Sequence, residues 1–242
     1  AIPAEKLLFG SERRRLPRWY NSDRPVMLGS VQPTEIWGLG KAASRLYLEE
    51  TLAKSVTESI ELFARRSGRQ YAEVSDYRLS DAGLILVALG SAIETAEAVA
   101  DRLRSTRKLK IGVLGIRTVQ PFPSGLIAEK LEKAKTVCIL ERLDSPATSD
   151  PPLLRALSTA IGRDGRNRPR LLSVLYGLGG LPLRATDLVE LCHQAERIQK
   201  RRVYLGVRFD PGADPYPKRQ ALLDRLRRNY PELDERDRKS VG

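Results

Sequence analysis

The amino-acid sequence predicts an α/β fold: a mainly parallel five-stranded sheet with helices on both faces, preceded by an irregular N-terminal segment and a long helix. Two observations carry this. Short, wholly apolar runs such as Leu84–Leu89 and Ile111–Ile116 alternate with stretches whose apolar residues recur every three or four positions. A run apolar on both sides of its pleat suits a strand buried on both faces, as in a parallel sheet between two helix layers.

The elements follow in order. Residues 1 to about 40 are punctuated by Pro3, Pro17, Pro25 and Pro33 and lack sustained periodicity, so they read as an irregular segment that wraps a neighbour. From Ala42 to Arg66, Leu52, Val56, Ile60 and Phe63 fall at helical spacing, and Gly68 ends the helix. Residues 71 to 79 read as an edge strand. Leu84–Leu89 is then the first buried strand, followed by a helix through Ile93, Ala96, Val99 and Leu103. Ile111–Ile116 leads to a helix near Leu126 to Ala134, and Thr136 to Leu140 to one through Leu153, Leu157 and Ile161. Leu171 to Tyr176 leads to a helix through Leu188, Leu191 and Ala195, and Val203 to Val207 closes the series. Beyond Pro211, Pro215 and Pro217, Leu222, Leu223, Leu226 and Tyr230 mark one last amphipathic helix. The charged tail from Glu232 is expected to be disordered. The domains predicted are therefore residues 1–79, 80–210 and 211–242.

Composition narrows the function. Hydrophobic residues at 41% and charged residues at 30% suit a globular chain of 242 residues with a sizeable core. No apolar run is long enough to span a bilayer, and the start lacks a signal-peptide apolar stretch. The absence of an initiator Met fits a processed product or an excised fragment. The net charge of +12 comes mostly from scattered Arg and from runs such as Arg13-Arg14-Arg15 and Lys200-Arg201-Arg202. No aromatic residues interleave with those runs as a nucleic-acid stacking platform requires, so solvated faces or docking surfaces for acidic partners are the better reading. Cys138 and Cys192 sit on apolar faces and read as small buried hydrophobes rather than a disulfide. Two cysteines cannot build a four-thiolate cluster. The single His193 reads as a solvated helix residue, and no metal site is expected.

Candidate site residues gather where apolar strands end. Gly90-Ser91-Ala92-Ile93-Glu94 has the form of a capping box opening a helix, with an anion site at the same amides as the alternative. Arg117 follows a strand end, where open α/β sheets place ligands. It could clamp a phosphate or carboxylate, or pair with Glu141 or Asp144. Glu141 and Asp144 beside Arg142 suggest an ion-pair network rather than an acid–base dyad. Tyr176-Gly177-Leu178-Gly179 lacks the residues of a phosphate loop and reads as a turn packed on another domain, with Tyr176, Gly177 and Gly179 as interface candidates. No catalytic residue is assigned.

Taken in order, several blocks form a set: Gly29-Ser30-Val31-Gln32, Gly68-Arg69-Gln70-Tyr71, Ala88-Leu89-Gly90-Ser91, Glu94-Thr95, Arg117 with Pro121-Phe122, Leu140-Glu141-Arg142, and Tyr176-Gly177-Leu178-Gly179. The set is similar, over roughly residues 20 to 209, to one stretch of the pyruvate:ferredoxin (flavodoxin) oxidoreductases. That stretch is the end of a thiamine-related domain and the transketolase-C-terminal-like second domain. The resemblance implies a cytoplasmic, dimeric enzyme that decarboxylates a 2-oxoacid on thiamine diphosphate and Mg. It passes electrons through [4Fe-4S] clusters to ferredoxin or flavodoxin and the acyl group to coenzyme A. This chain has no Gly-Asp-Gly thiamine motif and no cysteine ladder. The role the resemblance implies is thus a non-catalytic scaffold with no cofactor of its own, docked to other domains or subunits of the oxidoreductase and reaching the electron carrier only indirectly. Neither nucleic acid nor membrane is an expected partner. The alternatives are a stand-alone interaction module and a nucleotide- or phosphate-binding protein resting on Ser91 and the Gly177–Gly180 turn.

Overall fold

The computed structural model describes residues 6, 22–23, 29–164, 168–207 and 216–231. Most of the irregular N-terminal segment and the charged tail lie outside them. The chain divides into two units, Ala1–Glu73 and Val74–Gly242.

In the first unit, helix α1 runs over Thr34–Ser67, starting eight residues before the expected Ala42. Gly38 and Gly40 are poor helix formers and hide that start in the sequence. Its end agrees with the expectation: Gly68 takes a left-handed conformation (φ +70°), and its N–H bonds the Ala64 carbonyl at 3.0 Å. No residue of α1 is buried. Its apolar side chains form two stripes rather than one: Ile36, Leu39, Leu46 and Tyr47 in the first half, Leu52, Val56, Ile60 and Phe63 in the second. Leu52 lies six residues past Leu46, about 240° round the axis at 100° per residue, so the stripes face different sides.

The second unit is a sheet of six strands, one more than expected. The strands are β1 (Val74–Tyr77), β2 (Leu84–Leu89), β3 (Ile111–Ile116), β4 (Thr136–Glu141), β5 (Arg170–Leu175) and β6 (Arg202–Tyr204), in spatial order β1-β3-β2-β4-β5-β6. The sixth member is β1, the edge strand read at residues 71 to 79 and not counted among the five; it pairs antiparallel with β3, Ser75 opposite Gly115, and β2 to β6 are parallel. Gly115 makes this edge possible. A Cβ there would stand 2.3 Å from Ser75 Oγ and 2.7 Å from Ile93 Cδ1.

The connecting helices are α2 (Ala92–Arg107), α3 (Ser124–Leu131), α4 (Pro152–Asp164) and α5 (Ala185–Gln194), with α6 (Pro217–Asn229) after the sheet. Helices α2 and α5 cover one face, packing Ala96, Val99, Leu188 and Leu191 on Leu86, Val113, Cys138 and Val174. Helices α3 and α4 cover the other, packing Ile127, Leu131, Leu154 and Leu157 on Ile85, Val87, Leu114 and Ile139. Alternate residues of each strand thus feed opposite cores, which is why the strands read as continuous apolar runs.

The two helices that share the first face cross the sheet in opposite directions. Helix α2 carries the chain from β2 to β3, and α5 carries it the other way from β5 to β6. These two crossovers have opposite hands, so one departs from the strong right-handed preference. The turn that sends the chain over that face is glycine-rich: Gly177, Gly179 and Gly180 all have positive φ. On the α3/α4 face, β5 and β6 are consequently flanked by the loop after β4 and the end of α6. There Arg202 Nη2 donates to the Ser149 carbonyl at 2.9 Å, and the Tyr204 and Tyr230 rings meet edge-on at 5.1 Å.

Candidate functional site

Parallel strands β2, β3, β4 and β5 all end on one edge, and every candidate from the sequence lies there. The topological switch is between β2 and β4, whose neighbouring connections leave toward opposite sides.

At the end of β2, Gly90 turns with φ +59°, and Ser91 follows at φ −64°, ψ −16°. The capping-box expectation fails at this point. An N-cap residue needs extended dihedrals to bring its oxygen over the third amide; Ser91 already has helical ones and makes no side-chain cap bond. The turn is instead closed by backbone, Ile93 N–H to the Gly90 carbonyl at 3.1 Å. Ser91 is left exposed at the edge.

Arg117, at the end of β3, is exposed, and its charge bears on Glu97 of α2. Burial still raises the Glu97 pKa, with the Arg117 guanidinium pulling against it. The alternative pairing of Arg117 with Glu141 or Asp144 is not what the structure has. Asp144 meets Arg202 Nη1 at 3.8 Å and accepts from the Tyr204 hydroxyl at 3.3 Å.

Glu141 has a role that was not anticipated. It is 7% exposed at the end of β4, and its Oε1 accepts the Leu153 N–H at 2.7 Å. It therefore caps α4 from twelve residues upstream. The chain entering α4 is Asp150-Pro151-Pro152, with Asp150 one residue too early and proline in the capping position, so the cap comes from a neighbouring strand. A proline pair with no Ser, Thr, Asp or Asn next to the helix start was the available signal. Burial raises the Glu141 pKa, against the Leu153 and Leu154 amides and the charge of Arg155, and Oε2 has no hydrogen-bond partner. The expected Glu141–Asp144–Arg142 network is thus replaced by a helix cap and a separate Asp144–Arg202 pair.

Arg142, Tyr176 and Gly177 do come together. The Tyr176 N–H bonds the Glu141 carbonyl at 3.1 Å. A Cβ on Gly177 would stand 2.8 Å from Arg142 Nε, so the guanidinium lies over the glycine. Burial raises the Tyr176 phenol pKa, with Arg142 opposing. Gly179 (φ +63°) completes the turn, and Gly180 N–H closes it on the Gly177 carbonyl at 3.2 Å. Asp187, 4% exposed on the first turn of α5, is a buried carboxylate that sequence reasoning missed.

Chemically, this edge offers an exposed hydroxyl, two guanidiniums and a carboxylate already engaged as a cap. His193 is exposed on α5, in a separate cleft at the opposite, amino-terminal edge of the sheet. Both cysteines are buried and free, with thiol pKa values raised by burial, that of Cys192 to about 12. Among the described residues no three His, Cys, Asp or Glu side chains form a metal-binding group. None of their helices is long and apolar enough to cross a membrane.

Comparison with known proteins places this unit. Residues 82–188 match the family model described as pyruvate:ferredoxin oxidoreductase core domain II. A pyruvate synthase subunit PorA of Thermotoga maritima is 32% identical over 83% of this chain and 51% of its own length. The PorA subunit of Methanothermobacter thermautotrophicus is 27% identical over 77% of this chain and 46% of its own. A probable pyruvate-flavodoxin oxidoreductase of Escherichia coli is 30% identical over 66% of this chain but only 14% of its own length. The chain thus spans about half of the subunit-sized relatives and a small part of the large one.

Proposed function

Because this chain carries the second core domain of the pyruvate:ferredoxin oxidoreductases, we propose that it is a non-catalytic scaffold domain or subunit of a 2-oxoacid:ferredoxin or flavodoxin oxidoreductase, with pyruvate the leading substrate. In this reading residues 80–210 form the transketolase-C-terminal-like domain, residues 1–79 a docking extension, and residues 211–242 a C-terminal helix and tail. Thiamine diphosphate, Mg and the [4Fe-4S] clusters belong to partner domains in the cytoplasm, within a dimeric assembly. Arg117, Arg142 and the Gly177–Gly179 turn meet those domains and border the path of coenzyme A. Electrons reach ferredoxin or flavodoxin from the partner domains.

The observation that carries this reading is helix α1. Thirty-four residues long, it buries nothing, and it exposes Trp37 by 56%, Leu46 by 63%, Tyr47 by 66% and Phe63 by 41%. Scattered exposed apolar residues are ordinary, but an array of this size on one element marks a protein interface. Two stripes on different sides suit a helix laid between two surfaces. The carboxyl edge agrees, with Arg117 and Arg142 exposed there as recognition groups.

The test is an anaerobic pull-down with the tagged chain, followed by assay of 2-oxoacid-dependent reduction of an artificial electron acceptor. The chain alone should be inactive, and the recovered complex should contain a thiamine- and cluster-bearing polypeptide and turn over. Turnover by the purified chain alone would refute the scaffold reading. Recovery of no such polypeptide would point to a free-standing interaction module.

A further inference from the structure

A second concavity lies at the amino-terminal edge of the sheet, opposite the candidate site. It is a cleft of about 560 Å³, within the range of small-molecule sites, and Lys110, Lys133, Lys135 and Arg197 line it. All four are exposed. They come from separate parts of the chain. Lys110 directly precedes β3, Lys133 and Lys135 lie between α3 and β4, and Arg197 follows α5.

Backbone bonds fix the spacing of these charges. Strand β2 lies between β3 and β4, and Gly83 directly precedes it. The Gly83 N–H donates to the Lys110 carbonyl at 3.2 Å, and the Gly83 carbonyl accepts from the Lys135 N–H at 2.9 Å. Lys110 and Lys135 therefore flank a residue without a side chain, about 10 Å apart across two strand spacings. A Cβ on Gly83 would meet only the Lys135 side chain, at 3.8 Å. The floor between the two lysines is thus bare backbone.

Neutralisation within the chain falls short here. Elsewhere in this unit cations sit on carboxylates, Lys130 on Asp76 at 2.8 Å and Arg201 on Asp150 at 2.6 Å. In the cleft, Asp81 is held by Arg104 at 2.7 Å, and Lys110 only adds to the field on it. The side chains of Lys133, Lys135 and Arg197 have no hydrogen bond or ion pair among the described residues. Helices α2, α3 and α5 end at this edge, and a helix end carries roughly half a negative charge. Arg170 already covers the end of α5, donating to the Ala195 and Glu196 carbonyls at 3.0 and 3.3 Å. Setting Glu196 and the ends of α2 and α3 against the four lining cations leaves about two positive charges. A concave site lined by one sign of charge concentrates ions of the other.

We propose that this cleft binds a diphosphate, free or esterified. Two linked phosphate groups let Lys110 and Lys135 each meet its own group across Gly83, and their charge offsets the excess. Ammoniums serve phosphate as point charges, with no fixed approach to satisfy. Leu84, Leu109 and Cys192 line the rest of the cleft, which gives an ester group an apolar surface to rest on.

Isothermal titration of the 242-residue chain with inorganic pyrophosphate, inorganic phosphate and ADP tests this, at fixed ionic strength and about pH 7. Pyrophosphate should bind saturably at a single site, and phosphate at least tenfold more weakly. Lys110→Gln combined with Lys135→Gln should weaken pyrophosphate binding by about tenfold, the value of two ionic contacts. Arg102→Gln combined with Arg184→Gln removes the same charge from exposed positions outside the cleft and should leave binding within about twofold. All four substitutions are at exposed positions, so both variants should fold. No saturable pyrophosphate binding, phosphate binding as tight as pyrophosphate, or equal losses in the two double variants would overturn the proposal. ADP separates the two sources. Tighter binding than pyrophosphate assigns the cleft to an ester, and weaker binding to the free ion.

Discussion

Glu141 links the sheet to α4 through one hydrogen bond, and its removal should be measurable. In Glu141→Ala the Leu153 N–H loses its acceptor within a buried helix start. A hydrogen bond to a charged group contributes about 1.5–3 kcal/mol, and deleting a helix cap costs about 0.5–2 kcal/mol. Both figures describe the same bond, so the loss is about 2 kcal/mol. For a unit of this size that lowers Tm by about 4–8 °C. Glu141→Gln keeps an oxygen for Leu153 and should stay within about 1 kcal/mol of the parent. Dependence on pH separates cap from charge. Burial raises the Glu141 pKa above the unfolded value of about 4.3. The folded chain therefore holds the proton more tightly than the unfolded one. The stability from this group is fully present below the unfolded pKa and is lost as pH rises through the folded pKa. Gln does not titrate, so the Tm of Glu141→Gln should rise relative to the parent as pH increases from the unfolded carboxylate pKa through the raised folded one. Thermal unfolding followed by circular dichroism reads both effects. If Glu141→Ala is no less stable than Glu141→Gln, Glu141 is not the cap that holds α4.

Gly115→Ala should destabilise by about 1–3 kcal/mol, because its Cβ meets Ser75 and Ile93 in a packed edge; chemical denaturation checks this, and Ser75→Gly should recover part of the loss. Gly177→Ala should cost about 1–2 kcal/mol for the left-handed backbone alone, since the Arg142 side chain can swing aside. Cys138 and Cys192 should resist an aromatic disulfide reagent in the native protein and react together on unfolding, both being buried with raised thiol pKa values; fast reaction of either would contradict the packing. Trp37→Ser combined with Leu46→Ser should leave the unfolding of the sheet unit unchanged while reducing recovery of partner polypeptides in the pull-down.

The strands were legible because each announces itself locally. Leu84–Leu89 and Ile111–Ile116 are apolar on every position, and the structure buries them on both faces, Leu89 only partly. The Gly68 stop and the burial of both cysteines were readable for the same reason. The α1 start was hidden by two glycines whose cost the rest of the helix outweighs. Ser91 was misread because a capping box specifies residue types, whereas the bond depends on the backbone dihedrals, which the Gly90 turn sets.

What the sequence by itself determined is the order and identity of the elements and the two-sided burial of the sheet, since these follow from periodicity and composition. Only the tertiary structure decided who meets whom. Glu141 reaches Leu153 because β4 ends beside the start of α4, and β1 joins antiparallel because Gly115 admits Ser75. Each of these depends on where a crossover lands, a sum of contacts between residues distant in sequence, and no local pattern encodes it.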